Sequence, residues 1–457
     1  MESFNLNRHL KEQFVSNLTG SSKLEIFFLI TNLSILIIVR HGISWMNSAS
    51  AKKDDNAAGS GKSMKAYFGS LLVDFLCLAV PYILFVTVLA DWTYQNTFVV
   101  LLQLIFLITF ERNRSSFLQE DDLQAVRANI SSYRVSMMLL TCFSILAVDF
   151  KIFPRRYAKT EAYGTSLMDL GVGSFVVANS LVSRQARGIS NMTLKHALIS
   201  TSPLIVLGFA RLISTSSVNY QVHVGEYGVH WNFFFTLAAV AILTSIINVH
   251  PKYCGILGSF ILIGYQALLL SGLNKYLLSE ERGMGIFSQN KEGIVSIFGY
   301  WGMYLLGVRI GSYLFFADKP GSITKTKKWT RTRVWALCLL FWSITLLVDW
   351  QVEPISRRMC NLGYVCFTLA SNLQVLAILM MSDYVSGCKS SALEDALNQN
   401  LLATFLLANI LTGLVNLSVD TLSVSSTSAL AILFTYAFVL SFAVGLAGFL
   451  GIKFKFW

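Results

Sequence analysis

Residues 428–452 read SALAILFTYAFVLSFAVGLAGFLGI, a run of 25 residues without one charged side chain. The hydrocarbon core of a bilayer is about 30 Å thick, so a helix needs about 20 apolar residues to cross it. This run is therefore long enough to span a membrane as a helix. Similar runs recur towards the N-terminus, and charged residues or Gly, Asn and Ser separate them.

The apolar runs predict thirteen helices. Hydrophobic residues make up 54% of the 457-residue chain and charged residues 13%, whereas soluble domains carry roughly 25% charged residues. The sequence therefore predicts an all-α, polytopic integral membrane protein forming one transmembrane domain over 1–457, with a flexible cytosolic loop at 46–65. The predicted helices lie at 24–43, 67–90, 95–111, 131–149, 162–183, 196–214, 231–249, 254–274, 293–316, 334–350, 359–382, 400–418 and 428–452.

The distribution of Lys and Arg predicts the orientation. With the N-terminus outside the cytosol, cytosolic segments hold 22 of the 36 Lys and Arg residues and the opposite side holds 12. Cytosolic loops carry the excess of positive charge, so the N-terminus is predicted to be lumenal and the C-terminus cytosolic. The same distribution explains the formal charge of +11 without a nucleic-acid partner.

The densest polar segment beside helix ends is DFKIFPRRYAKTE at 149–161, between the fourth and fifth predicted helices. A carboxylate and an amine at one site can serve as a general base and an oxyanion stabiliser, so Asp149 and Lys159 are a candidate catalytic pair. Arg155 and Arg156 are placed to hold phosphate groups. The alternative is a structural loop of salt bridges at the lipid headgroups.

Asp169 is predicted to lie about two turns inside the fifth helix, where acidic residues are costly and indicate function. The alternative is a buried Asp bonded to a neighbouring helix. Other polar residues are predicted on the same side of the membrane, and His230 is an alternative base. Together with Asp169, Arg155 and Arg156, we expect the following to bind substrate: Glu161, His230, Asn232, Asn290, Lys291, Arg357 and Arg358.

Two segments resemble each other. SILAVDFKIFPRR at 144–156 is echoed by SITLLVDWQVEPISRR at 343–358, a spacing of about six predicted helices. One interpretation is a weak internal repeat in parallel orientation, which occurs in membrane transporters. The other is chance, because the match is short.

Absent motifs narrow the chemistry. The chain has no GxxxxGK[ST] and no GxSxG, so nothing points to ATP hydrolysis or a serine hydrolase. Its seven cysteines form no CxxC and no metal-ligand spacing, and no metal site is predicted. Residue patterns alone therefore indicate a membrane enzyme or a transporter with a polar site at one face.

Several segments together carry a resemblance to a known family. The main one is VDFKIFPRRYAKTE with GTSLMDLGVGS, within 148–174. The others are KEQFVSN at 11–17, EYGVHWNFFFT at 226–236, NKEGI at 290–294 and NQNLLATFLLANILTGLVNL at 398–417. With these segments the chain resembles the GPI-anchor inositol acyltransferases, the PIG-W family, and this resemblance supports Asp149 and Lys159 as the catalytic pair. The resemblance runs nearly end to end in colinear order, but the 46–65 and 112–134 loops carry little of it.

The resemblance implies an endoplasmic reticulum membrane enzyme of GPI-anchor biosynthesis, with its active site on the lumenal side. It would move a fatty acyl group, typically palmitoyl, from palmitoyl-CoA to the inositol 2-hydroxyl of glucosaminyl-phosphatidylinositol. Palmitoyl-CoA is thus a co-substrate, membrane lipids are partners, and no tightly bound cofactor is expected. The rival interpretations are a lipid or small-molecule transporter and a histidine-dependent membrane O-acyltransferase.

Overall fold

The computed structural model describes residues 13–14, 16–51, 64–112, 122–189, 194–217, 224–316, 326–385 and 390–454. Within these ranges the chain is built from helices. The only extended pairing there is two isolated β-bridges, in which Gly20 and Ser21 meet Thr165.

Nineteen α-helices lie in the described ranges. The first ten are α1 Lys23–Ala51, α2 Met64–Asp74, α3 Val80–Phe85, α4 Thr93–Arg112, α5 Asp122–Ala147, α6 Leu167–Leu181, α7 Leu194–Ser217, α8 Val224–Tyr227, α9 Phe233–Ile247 and α10 Pro251–Leu268. The others are α11 Asn274–Leu278, α12 Ile286–Gln289, α13 Lys291–Val295, α14 Ile297–Gly311, α15 Lys327–Gln351, α16 Leu362–Leu379, α17 Ala392–Gln399, α18 Leu401–Ser418 and α19 Ser426–Phe449.

Ten helical stretches in the described residues are long and apolar enough to cross a membrane, and three shorter apolar helices lie within α6, α7 and α9. These thirteen stretches fall where the sequence predicted helices, which confirms an all-α, polytopic membrane protein. The number that actually cross, and the side on which each terminus lies, stay predictions.

Two helix boundaries differ clearly from the prediction. The fourth helix begins at Asp122 rather than 131, because Ala125, Val126 and Ile130 bury one face of an otherwise polar turn. Helix α1 continues to Ala51, inside the predicted 46–65 loop, whose residues 52–63 lie outside the described ranges. A mixed sequence such as 122–130 can be helical without being apolar, so a search for apolar runs alone finds its start too late.

The chain divides into two compact units, named here for their place along the sequence. The central unit comprises Ala158–Leu373 with the two chain ends Met1–Ser22 and Phe456–Trp457. The terminal unit comprises Lys23–Tyr157 and Gln374–Lys455. The prediction of one domain over 1–457 is not tested by this division.

In the central unit, α14 packs against α6, α9 and α10. Two glycines allow its close approach to α6. A Cβ added at Gly307 would overlap Ser180, and one added at Gly311 would overlap the backbone of Leu181. Small residues at such positions let membrane helices pack with their backbones close together.

In the terminal unit, Arg40 and His41 are neighbours in the sequence, and each contacts a buried acid. The Arg40 guanidinium contacts Asp74 at 2.6 Å, and the other oxygen of Asp74 accepts the Leu393 N–H at 2.9 Å. His41 Nε2 lies 2.6 Å from a Glu394 oxygen. Glu394 also completes a capping box with Ser391 at the start of α17. These pairs join α1 and α2 to α17 within the unit.

The Arg40–Asp74 pair gives a prediction about stability. Removing one partner of a buried pair leaves an uncompensated charge, which costs about 3 kcal/mol or more. Arg40→Met should therefore lower the thermal unfolding midpoint in detergent markedly. The double variant Arg40→Met/Asp74→Leu should lower it less than Arg40→Met alone, and a double variant at least as destabilised as the single one would contradict this account.

Candidate functional site

Asp149 lies in a turn of the terminal unit just beyond the end of α5. The Arg155 guanidinium holds this turn by donating to the carbonyls of Val148 at 2.7 Å, Phe153 at 3.0 Å and Phe150 at 3.2 Å. Burial lowers the pKa of Arg155 to about 10, against the opposing charge of Asp149. Arg155 thus fixes the shape of the backbone that presents Asp149.

The Asp149 carboxylate is partly exposed, and one oxygen accepts a hydrogen bond of 2.7 Å from Asn416 Nδ2. Asn416 lies in the last turn of α18, within the same unit. The amide therefore orients the carboxylate, whose surface is partly exposed, and this suits a group that accepts protons.

Arg156, next to Arg155, is held by two acids of the terminal unit. Its Nε donates to Glu25 at 2.9 Å, and its Nη2 donates to Asp91 at 2.6 Å. The Tyr157 hydroxyl also donates to Glu25, at 2.7 Å. The Asp91 side chain is 79% exposed, so that contact is a surface ion pair of small energetic value.

In the central unit, Asp169 is buried at the start of α6 rather than two turns inside it. Ser166 caps this helix by accepting the Asp169 N–H at 3.0 Å. Thr160 donates its N–H at 3.1 Å and its hydroxyl at 2.7 Å to one Asp169 oxygen, and Arg357 Nε donates to the other at 2.7 Å. The predicted position was wrong because residues before Ser166 are not helical, as the φ of +126° at Gly164 shows.

Arg357 continues this contact to two further residues. Its Nη1 donates to Glu226 Oε1 at 3.4 Å, and Lys159 Nζ donates to the same oxygen at 2.7 Å. Burial alone would raise the pKa of Glu226, but the charges of Lys159 and Arg357 outweigh it and lower the pKa to about 2. Asp169, Arg357, Glu226 and Lys159 are called the ion chain below.

Arg357 belongs to a segment, 353–361, that Glu353 holds in place. The Glu353 carboxylate is buried and accepts four hydrogen bonds from neutral donors. Tyr163 and Asn274 donate to one oxygen, both at 3.1 Å, and Gln266 and Asn361 donate to the other at 2.7 and 3.1 Å. Burial, with Glu353 nearby, raises the pKa of the Tyr163 hydroxyl to about 12.

Arg358 makes a separate contact. It shares Glu292 Oε1 with Arg282, at 3.0 and 2.7 Å respectively, and donates to the Leu277 carbonyl at 3.1 Å. Lys291 is fully buried, and its ammonium donates to the carbonyls of Tyr276 and Ser279, both at 2.7 Å. Neither cation belongs to the ion chain.

The remaining predicted binding residues make local structural contacts. Asn290 Oδ1 accepts the His230 N–H at 2.8 Å, and the His230 side chain is exposed. Asn232 caps α9 by accepting the Phe234 N–H at 3.0 Å. The exposed Glu161 accepts the Asn17 N–H at 2.5 Å. Their predicted roles in substrate binding stay predictions.

The structure thus brings together Lys159, Asp169 and Arg357 among the predicted site residues of the central unit. Sequence reasoning did not select Glu226, Glu353 or Asn416. Glu226 opens the polar EYGVHWN segment, which was the available signal, but nothing in the sequence showed its pairing with Lys159.

The two echoed segments have different local contacts. Asp349 lies near the end of α15, and its Oδ1 accepts the Ile355 N–H at 2.9 Å. Asp149 instead accepts a side-chain amide. The internal repeat stays a prediction, as does the absence of a metal. Within the described ranges no group of three or more His, Cys, Asp or Glu side chains is placed to hold a metal ion.

Comparison with known proteins supplies independent information. A family profile described as GWT1 matches residues 7–447. An uncharacterised protein of Arabidopsis thaliana is 53% identical, covering 93% of this chain and 98% of its own length. GPI-anchored wall transfer protein 1 of Schizosaccharomyces pombe is 35% identical, covering 97% and 98%. Mouse glucosaminyl-phosphatidylinositol-acyltransferase PIGW is 30% identical, covering 98% and 99%.

The Glu353 contacts predict a selective loss of stability. Glu353→Gln places an amide that donates hydrogen bonds among four groups that also donate, so at least one buried donor loses its acceptor, at about 2 kcal/mol. The thermal unfolding midpoint in detergent should fall clearly. Glu161→Gln removes an exposed acid and should change the midpoint little. Equal midpoints for the two variants would contradict the assigned role of Glu353.

Proposed function

Because the chain belongs to the GWT1 family, the GPI inositol acyltransferases, we propose that it acylates the inositol ring of glucosaminyl-phosphatidylinositol with an acyl-CoA as donor. The name of the mouse relative supports the acceptor. The polytopic helical fold supports it too, since the acceptor is a membrane lipid and a fatty acyl chain is best held among apolar helices.

The observation that carries the proposal is the carboxylate of Asp149. It lies at the end of a membrane helix, Asn416 orients it at 2.7 Å, and it stays partly exposed. A substrate hydroxyl could approach its exposed surface. Asp169 and Glu292, by contrast, are buried.

The proposed reaction is a direct acyl transfer. Asp149 accepts the proton of the inositol hydroxyl as its oxygen attacks the thioester carbonyl carbon. A new C–O bond forms, the C–S bond breaks, and the proton passes to the departing CoA thiolate. The products are an inositol ester and free CoA thiol, so no oxidant, reductant or metal is consumed.

Lys159 is proposed to stabilise the oxyanion of the thioester carbonyl or to orient the hydroxyl. An ammonium group has three N–H donors. Among the described residues, only Glu226 accepts one of them in a side-chain hydrogen bond. Two donors therefore stay available to a substrate, and the side chain is 34% exposed.

Phosphate groups of the substrates are proposed to contact Arg156. Its bond to the exposed Asp91 is a surface ion pair, which a phosphate could replace at little cost. Arg155 is proposed to act through the backbone, because its guanidinium is engaged by three carbonyls. The proposed location is the endoplasmic reticulum membrane, with these residues on the lumenal side, as the Lys and Arg distribution predicts.

Asp149→Asn should lower kcat for acyl transfer by at least about a hundredfold, because the amide cannot take the hydroxyl proton. The measurement is product formation from labelled palmitoyl-CoA and glucosaminyl-phosphatidylinositol in detergent. Asp349→Asn, the matched change in the echoed segment, should keep most of the activity. Normal turnover by Asp149→Asn, with loss in His230→Ala, would identify a histidine-dependent enzyme instead.

Lys159→Met should lower kcat by about a hundredfold or more, since it removes an ammonium donor from the developing oxyanion. Lys151→Met is the matched control, because Lys151 is an exposed lysine eight residues earlier. A Lys159→Met enzyme with normal kcat and a raised KM would show that Lys159 only binds substrate.

A further inference from the structure

The ion chain becomes more exposed from one end to the other. The exposed fractions of its side chains are 1% for Asp169, 3% for Arg357, 16% for Glu226 and 34% for Lys159. Charges of opposite sign alternate along it, so each residue is the counter-ion of the next. Its buried end is fixed in the fold, and its exposed end is the lysine assigned to the reaction.

The backbone that carries Glu226 is also fixed. Glu226 lies in the short helix α8, and the residues that follow are held by Asn290, whose Oδ1 accepts the N–H groups of His230 at 2.8 Å and Trp231 at 3.0 Å. The Val229 N–H donates to the Gln289 carbonyl at 3.0 Å. A Cβ at Gly228 would overlap Asn290, so this turn has little room to move.

A lysine on its own is poorly suited to hold one position. Its four-carbon side chain has many rotamers. Glu226 restricts them, because its carboxylate lies 2.7 Å from the ammonium. Asp169 cannot serve as the counter-ion of Lys159, because its two oxygens already accept hydrogen bonds from Thr160 and Arg357.

We propose that Glu226 is the positioning residue for Lys159: it holds the ammonium in one place and aims it at the reacting carbonyl during acyl transfer. This inference rests on the proposed function. Glu226 need not touch the substrate, so its loss should slow the chemical step more than it weakens substrate binding.

The kinetic test compares three purified variants. Glu226→Gln should lower kcat by about 10- to 100-fold while the KM for the lipid acceptor stays within about twofold. Glu226→Asp keeps the charge and should recover part of kcat. Glu280→Gln removes an exposed acid of the same unit and should behave as wild type.

A second measurement does not depend on catalysis. Amine-acylating reagents react slowly with a lysine that is held in an ion pair, so competitive labelling followed by mass spectrometry reports how firmly each lysine is held. At mildly alkaline pH, Lys159 should be labelled several-fold faster in Glu226→Gln than in wild type. The exposed Lys275 should be labelled equally in both and serves as the internal standard.

The outcomes separate the two proposals. Faster labelling of Lys159 with no acyl transfer by the wild-type protein would support the Glu226–Lys159 coupling and overturn the proposed function. Unchanged labelling, or an unchanged kcat in Glu226→Gln, would overturn the role of Glu226. If Glu226→Gln does not fold, Glu226→Asp gives the same decision, since a longer contact should still raise labelling and lower kcat by a smaller factor.

Discussion

The central unit depends on how one buried carboxylate is neutralised. Asp169 is 1% exposed at the start of a membrane helix, and an unpaired charge there would be very costly. Its neutralisation needs Thr160 from the preceding segment and Arg357 from the 353–361 segment. Arg357 in turn needs Glu226, so three distant parts of the sequence are joined by one requirement.

Buried charges and polar groups need hydrogen-bond partners in general, which explains the many contacts of other polar groups near helix ends. Glu353 has four neutral donors and Lys291 has several carbonyl acceptors, so these residues build the site's framework rather than its chemistry. Asp149 and Lys159 differ from them. The side chains of both are partly exposed, which leaves room for a substrate.

Much of the fold could be predicted from the sequence, because each predicted membrane helix is an apolar run of the right length. The start of α5 and the extension of α1 could not, because neither 122–130 nor 46–51 is an apolar run. The 149–161 segment was recognisable from its density of charge and its family resemblance. The ion chain was not, because Lys159 and Glu226 are 67 residues apart and only the folded chain shows that they meet.

The roles of the three arginines depend on the groups that they contact, and the sequence alone does not show these contacts. Arg155, Arg156 and Arg357 look alike as cations near a membrane edge. In the structure, Arg155 donates to backbone carbonyls, Arg156 forms a surface ion pair, and Arg357 is a buried member of the ion chain. Of these three, only Arg156 can readily exchange a partner for a phosphate.

The central claim is that this membrane protein forms an ester on the inositol ring. The most direct measurement reconstitutes the purified wild-type chain in liposomes with isotopically labelled palmitoyl-CoA and glucosaminyl-phosphatidylinositol, and then fragments the lipid product by mass spectrometry. The account predicts a labelled acyl group on the inositol fragment together with stoichiometric free CoA thiol. Unmodified acceptor, with labelled donor or lipid merely moved across the bilayer, would contradict the account and indicate a transporter.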